Sequence, residues 1–158
     1  MKEEETLEIF AGILKKDELE SRYEIMVESY GHTLNIEAKT IIDLFDTYVL
    51  PPALKTIKNL AEAIEEQKEL LGKKAAESQL GRLRELHDLV EDGINIVESL
   101  KAAREDADSL SGFERSEALL EDVFPLCLQL RTVSDALEAL IENKEWTLPK
   151  YREILYLV

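Results

Sequence analysis

The sequence predicts an all-α protein: an antiparallel bundle of long, proline-kinked helices with a short N-terminal helix and a docked C-terminal tail. Three observations carry that expectation. Hydrophobic residues make up 45% of the 158 but aromatics only 6%, which favours aliphatic helix packing over a sandwich or barrel. Six glycines and four prolines are too few for the many turns of an all-β chain. Apolar residues also recur every three or four positions over long stretches, the spacing that keeps one helix face buried. A chain of this length fits one domain, residues 1–158, with a single core.

The elements follow in order. A short helix is expected from Glu3 to Leu14. The first long arm opens at Asp17, where "DELE" offers an Asp N-cap with Glu20 three residues on, a capping-box pattern. Its stripe is Leu19, Tyr23, Met26, Tyr30, Leu34, Ala38, Ile41, Phe45 and Tyr48. Pro51 and Pro52 lack N–H donors, so a kink or break is expected there, with a new first turn beyond it. Leu54, Ile57, Leu60, Ile64 and Leu71 extend the stripe to Gly72, a fitting C-terminal stop.

A second arm spans about Lys74 to Ala107 on Leu80, Leu83, Leu86, Val90, Ile94, Val97 and Leu100. Gly81 and Gly93 interrupt it, each costing about 1 kcal/mol against alanine in a helix interior. "DADSLSGFE" reads as a turn, and Ser111 with Glu114 forms a second capping-box pattern. The third arm carries Leu120, Val123, Cys127, Leu130, Val133, Leu137 and Leu140, with a kink expected near Glu121, whose carbonyl loses its donor at Pro125. In the tail "NKEWTLPKYREILYLV", Trp146, Leu148, Tyr151, Leu155 and Leu157 surround Pro149 as an apolar series able to cover the bundle end.

Charge narrows the function. With 34 acidic against 19 basic residues, a net of −15, nucleic acid and anionic membrane surfaces are repelled at long range. No apolar run approaches the ~20 residues of a spanning helix. The acidic start "MKEEETLEIF" is no signal or transit peptide, and the lone Cys127 forms no intrachain disulfide and reads as a buried thiol, so a reducing cytoplasm is the expected compartment.

Catalytic patterns are scarce. Among so many carboxylates, adjacent pairs arise by chance and read as solvated helix faces. The densest cluster, "RELHDLVED", places Arg84 rather than Glu three residues before His87, and Ser29 stands at that spacing before His32. The Glu-x-x-His ligand pair of a di-iron bundle is therefore absent. No HExxH pair, GxSxG elbow or phosphate-binding glycine loop occurs either. On residues alone, the chain reads as a helical interaction or scaffold module.

Three stretches in register resemble the C-terminal region of type III glutamine synthetases. "ELESRYEIMVESYGHTLNIEAKTIIDLFDTYVLPPAL", Glu18 to Leu54, is similar to that family's SRYEI, E-x-Y and N-I-E-A-x-T series. "DVFPLCLQLRTVSDALEALI" is similar to its F-P, L/V-R, D-x-L-E series, and "WTLPKYREILY" to its closing W-P-L-P-x-Y-x-x-L-F. Thr147 stands where the family usually has proline, Tyr156 replaces the closing phenylalanine, and residues 72–112 match only as helix. The resemblance implies a parent that joins ammonia to glutamate at the expense of ATP, in ring-shaped dodecamers. Its catalytic domains, with their ATP and divalent-metal sites, lie upstream of the region resembled, so no catalytic residue, cofactor or metal is carried over.

The chain is therefore expected to be a non-catalytic domain or fragment of such a synthetase, serving packing or subunit assembly, with the catalytic domain or further copies of itself as partner. A free-standing interaction module or regulator is the alternative. Contact residues are sought in Arg22, Tyr23 and Glu24 of "SRYE", with Tyr23 packing inward, or else in an ordinary helix turn with an Arg22–Glu18 pair. Asn35, a poor mid-helix residue, and Glu37 suggest a specific polar partner. Trp146, Pro149 and Tyr151 of the tail complete the set, with Trp146 expected in the chain's own core rather than in a ligand pocket or an intersubunit hook.

Overall fold

The computed structural model describes residues 9, 10 and 13–155. The expected helix from Glu3 to Leu14 therefore lies largely outside the described residues; within it Ile9 and Phe10 are helical, and Ile13 and Leu14 are not. Among the described residues six α-helices follow: α1 (Lys16–Leu44), α2 (Leu50–Leu71), α3 (Glu77–Asp108), α4 (Gly112–Ala118), α5 (Phe124–Leu140) and α6 (Tyr151–Leu155). They form an all-α bundle with α3 at its centre, packed against α2 on one side and α5 on the other.

The α1 start differs from the capping-box reading. The N-cap is Lys15, and its backbone N–H donates to Glu18 Oε2 at 3.0 Å, while Lys16 pairs with Glu20. Glu18 thus plays the part assigned to Glu20, two residues earlier. At the other expected box, Ser111 is the N-cap of α4 but makes no side-chain capping bond. Gly72 stops α2 as foreseen, at a φ of 93° that a side chain would strain. The second arm begins at Glu77 rather than Lys74, after a turn through residues 73–76.

Neither proline site breaks its helix. A π-helical turn, Phe45–Val49, joins α1 to α2, and a second, Leu119–Val123, joins α4 to α5. In each, an N–H reaches five residues back: Leu50 to the Phe45 carbonyl and Phe124 to the Leu119 carbonyl. A π turn carries one surplus residue, so the bonding pattern is already loosened where proline withdraws a donor. Lys16–Leu71 is therefore one helical rod about 80 Å long, against arms of under about 50 Å for Glu77–Asp108 and Gly112–Leu140.

The surplus residue also shifts the buried stripe. Val49 is 2% exposed where the expected Tyr48 is 40% exposed. Likewise Leu119 is fully buried and Leu120, the expected core residue, is 43% exposed. Ala53 rather than Leu54 is buried beyond the first π turn. Elsewhere the expected stripe holds: Leu34, Ala38, Phe45, Ile64, Leu86, Val90, Val97, Leu100, Val123, Leu130 and Leu137 are all buried. Tyr23, Met26, Tyr30 and Leu71 are exposed instead, because the rod outruns its partners.

Two glycines set the closest approaches. A Cβ on Gly93 of α3 would fall within 2.7 Å of Phe45 Cε2 and closer still to Cζ, so the Phe45 ring sits where only glycine leaves room. A Cβ on Gly31 of α1 would come 3.0 Å from Ser116 Cβ, so α4 rests on bare backbone there. Gly81 has open space around its Cα. Gly93→Ala should lower stability by up to about 2 kcal/mol, the cost of overpacking, about 1–3 kcal/mol, less about 1 kcal/mol gained in helix propensity. Gly81→Ala should raise it by up to about 1 kcal/mol; the urea midpoints of the two variants check the pair.

Candidate functional site

The sequence-predicted contact residues fall in three places: the tail, the middle of α1 and its start. In the tail, Trp146 is buried in the main core and Leu148 packs against it, so the tail docks on the chain itself. Pro149 is exposed, and so are Ile154 and Leu155; among the described side chains of the apolar series, Trp146 and Leu148 are the ones that cover the core. Tyr151 opens α6. Leu157 lies outside the described residues.

Polar bonds hold the tail in place. Lys150 Nζ donates to the Glu138 carbonyl at 2.8 Å and the Ile141 carbonyl at 3.3 Å, and Arg82 donates to the Leu140 carbonyl at 2.8 Å. Two cations thus meet the negative end of the α5 dipole, where the last carbonyls lack helical donors. Lys150 Nζ also lies 5.9 Å from the centroid of the Trp146 ring, within cation–π reach. Lys55 pairs with Glu145 at 2.6 Å.

The Thr147 hydroxyl donates to the Tyr48 carbonyl at 2.8 Å. That carbonyl would have been served by the N–H of residue 52, which is proline. Trp146 Nε1 is buried without a hydrogen-bond partner among the described residues. Sequence reasoning identified Trp146 but passed over Lys150 and Thr147, whose roles depend on carbonyls distant in the chain.

In the middle of α1, Asn35 finds its polar partner in Arg104 of α3, whose Nε donates to Asn35 Oδ1 at 2.8 Å. Glu37 is exposed, and its charge acts on Cys127 of α5. Cys127 is partly rather than fully buried. Burial, with Glu37 adding to it and Arg104 opposing it, pushes the thiol above the ordinary cysteine range. At the end of α3, the hydrogen bond from Arg115 holds the Asp108 carboxyl below its usual range.

At the start of α1, Arg22 and Glu24 are exposed and no Arg22–Glu18 pair forms among the described residues. Tyr23 does not pack inward; it faces solvent at the edge of α4, its ring 6.4 Å from that of Phe113. Tyr23, Met26 and Tyr30 of α1, with Phe113 of α4 and Leu120 of the second π turn, line an open cleft of about 450 Å³. Among the described residues, no three His, Cys, Asp or Glu side chains gather as a metal site, and no helix is long and apolar enough to cross a membrane.

The described residues form a helical bundle with a docked tryptophan tail and gather no metal-binding cluster. The family model described as the glutamine synthetase C-terminal domain matches residues 1–68. A type-3 glutamine synthetase of Dictyostelium discoideum is 33% identical over 161 aligned residues, covering 98% of this chain and 22% of that protein. The chain is similar to the C-terminal domain of type III glutamine synthetases.

A glutamine synthetase of Bacteroides fragilis is 29% identical over 91% of the chain, and one of Butyrivibrio fibrisolvens 28% identical over 97%. The chain spans about a fifth of the length of these synthetases, 20% and 22% respectively. Similarity to the Dictyostelium synthetase therefore includes residues 72–112, beyond the 1–68 that the C-terminal domain model matches and where the motifs alone matched only as helix.

Trp146→Ala should cost about 3–5 kcal/mol, measured as a fall in the urea midpoint, because a buried ring is removed from the core. Trp146→Phe, which deletes the unpartnered donor while keeping an aromatic ring, should cost much less. Cys127 should be alkylated by iodoacetamide more slowly than a free cysteine at pH 8, since a raised thiol pKa leaves less thiolate, and should reach the free rate once the chain is unfolded in urea.

Proposed function

We propose that this helical domain is a non-catalytic part of a type III glutamine synthetase, serving its packing and subunit assembly. The observation that carries the reading is similarity over nearly the whole chain to synthetases about five times as long. In this reading ATP, glutamate, ammonia and the divalent metal are handled by the remaining four-fifths of the enzyme. The residues of this chain hold surfaces together.

The chemistry of the described residues supports that division. Several of their polar contacts cap helix ends and bridge helices: Lys150 and Arg82 at the end of α5, Arg104 to Asn35 between α3 and α1. Each of these bonds is spent on the fold.

The test uses a full-length type III synthetase and a variant lacking the region equivalent to this chain. The truncated enzyme should sediment as a smaller particle and lose most of its glutamate- and ammonia-dependent ATP hydrolysis, while this chain alone shows none. A truncated enzyme with full particle mass and full activity would overturn the reading.

A further inference from the structure

The cleft between α1 and α4 has a composition that specifies what it can receive. Its floor is apolar: Tyr23, Met26 and Tyr30 from two successive turns of α1 face Phe113 and Leu120. Met26 is 71% exposed although it lies on the same flank of α1 as the core stripe. No described residue covers this floor, because the rod extends past the bundle at its N-terminal end. The rim is acidic. Glu117 and Glu121, four residues apart, line one wall, and no lysine or arginine is among the described residues lining the cleft.

We propose that this cleft is a docking site for a basic amphipathic helix. A groove two helical turns long, with an apolar floor and carboxylates along one edge, fits a helix presenting apolar side chains at i, i+3 or i+4, and i+7. Lysines or arginines flanking that stripe, one turn apart, would meet Glu117 and Glu121. A second copy of this chain is a poor occupant: both molecules carry a net charge of −15, and a twofold contact at the cleft would set the two rims against each other. The inference stands on the cleft alone and does not depend on the synthetase reading.

The probe is a fluorescein-labelled peptide of about 18 residues built of leucine and lysine as an amphipathic helix, titrated by fluorescence anisotropy at about 0.15 M salt. A sequence-matched leucine–glutamate peptide is the control. The wild-type chain should bind the basic peptide saturably at one site and the acidic one not at all.

The charge-neutral variant Tyr23→Ser/Met26→Ser should weaken binding at least about tenfold, and Glu117→Gln/Glu121→Gln by a similar factor. Ile25→Ser/Ile36→Ser makes the same kind of change at exposed apolar residues outside the cleft and should leave binding unchanged. Circular dichroism establishes that each variant is folded.

Equal binding by the wild type and the cleft variants would overturn the proposal, since it would reduce the interaction to general attraction by an acidic surface. Absence of saturable binding would overturn it too. So would a wild-type dimer by light scattering that Tyr23→Ser/Met26→Ser dissolves, which would make a second copy the occupant.

Discussion

The Phe45 ring over Gly93 fixes how near the long rod comes to the central helix. Side chains would ordinarily hold two helices 8–10 Å apart, and only a residue without a Cβ admits an aromatic ring so close to the backbone. Because Phe45 is essentially inaccessible to water, it has no free volume to swing into if the notch closes. Ser116 against Gly31 repeats the arrangement between the rod and α4. Between them these contacts fix the rod at two levels, and the aliphatic residues of α2, α3 and α5 fill the space so defined.

The π turns stand next to those contacts. Phe45 opens the first, and Leu119, three residues beyond Ser116, opens the second. They also account for what the sequence concealed. Periodicity predicted the helices, the Gly72 stop and most of the core, because a 3.6-residue repeat leaves its trace in any apolar stripe. It misplaced Tyr48, Leu54 and Leu120, each by one residue and each within or just after a π turn. A surplus residue in the backbone leaves no mark in a pattern of side chains, so the stripe continued in steps of three where the structure takes four.

The candidate site divided in a similar way. Trp146 was legible because a large aromatic beside a proline in a tail is seldom left in water. Asn35 was legible as a residue in need of a partner, though Arg104, 69 residues away, was not. Tyr23 carried the right chemistry and the wrong exposure: an amphipathic stripe shows which face seeks cover but not where the covering helices end. The resemblance to type III synthetases was readable from three stretches in register, and full-length similarity extended it through the middle of the chain.

The Thr147 hydroxyl on the Tyr48 carbonyl ties the order of synthesis to the order of folding. A ribosome adding about 5–20 residues per second reaches residue 147 some 5–20 seconds after residue 48. Through that interval the rod can be helical on either side of Pro52, yet this carbonyl must rely on water. The bond spans 99 residues of sequence, so it closes late and by a large loop, when the tail folds back onto the first π turn. The rod is laid down first, and its proline-weakened turn is completed by a residue made 99 positions later.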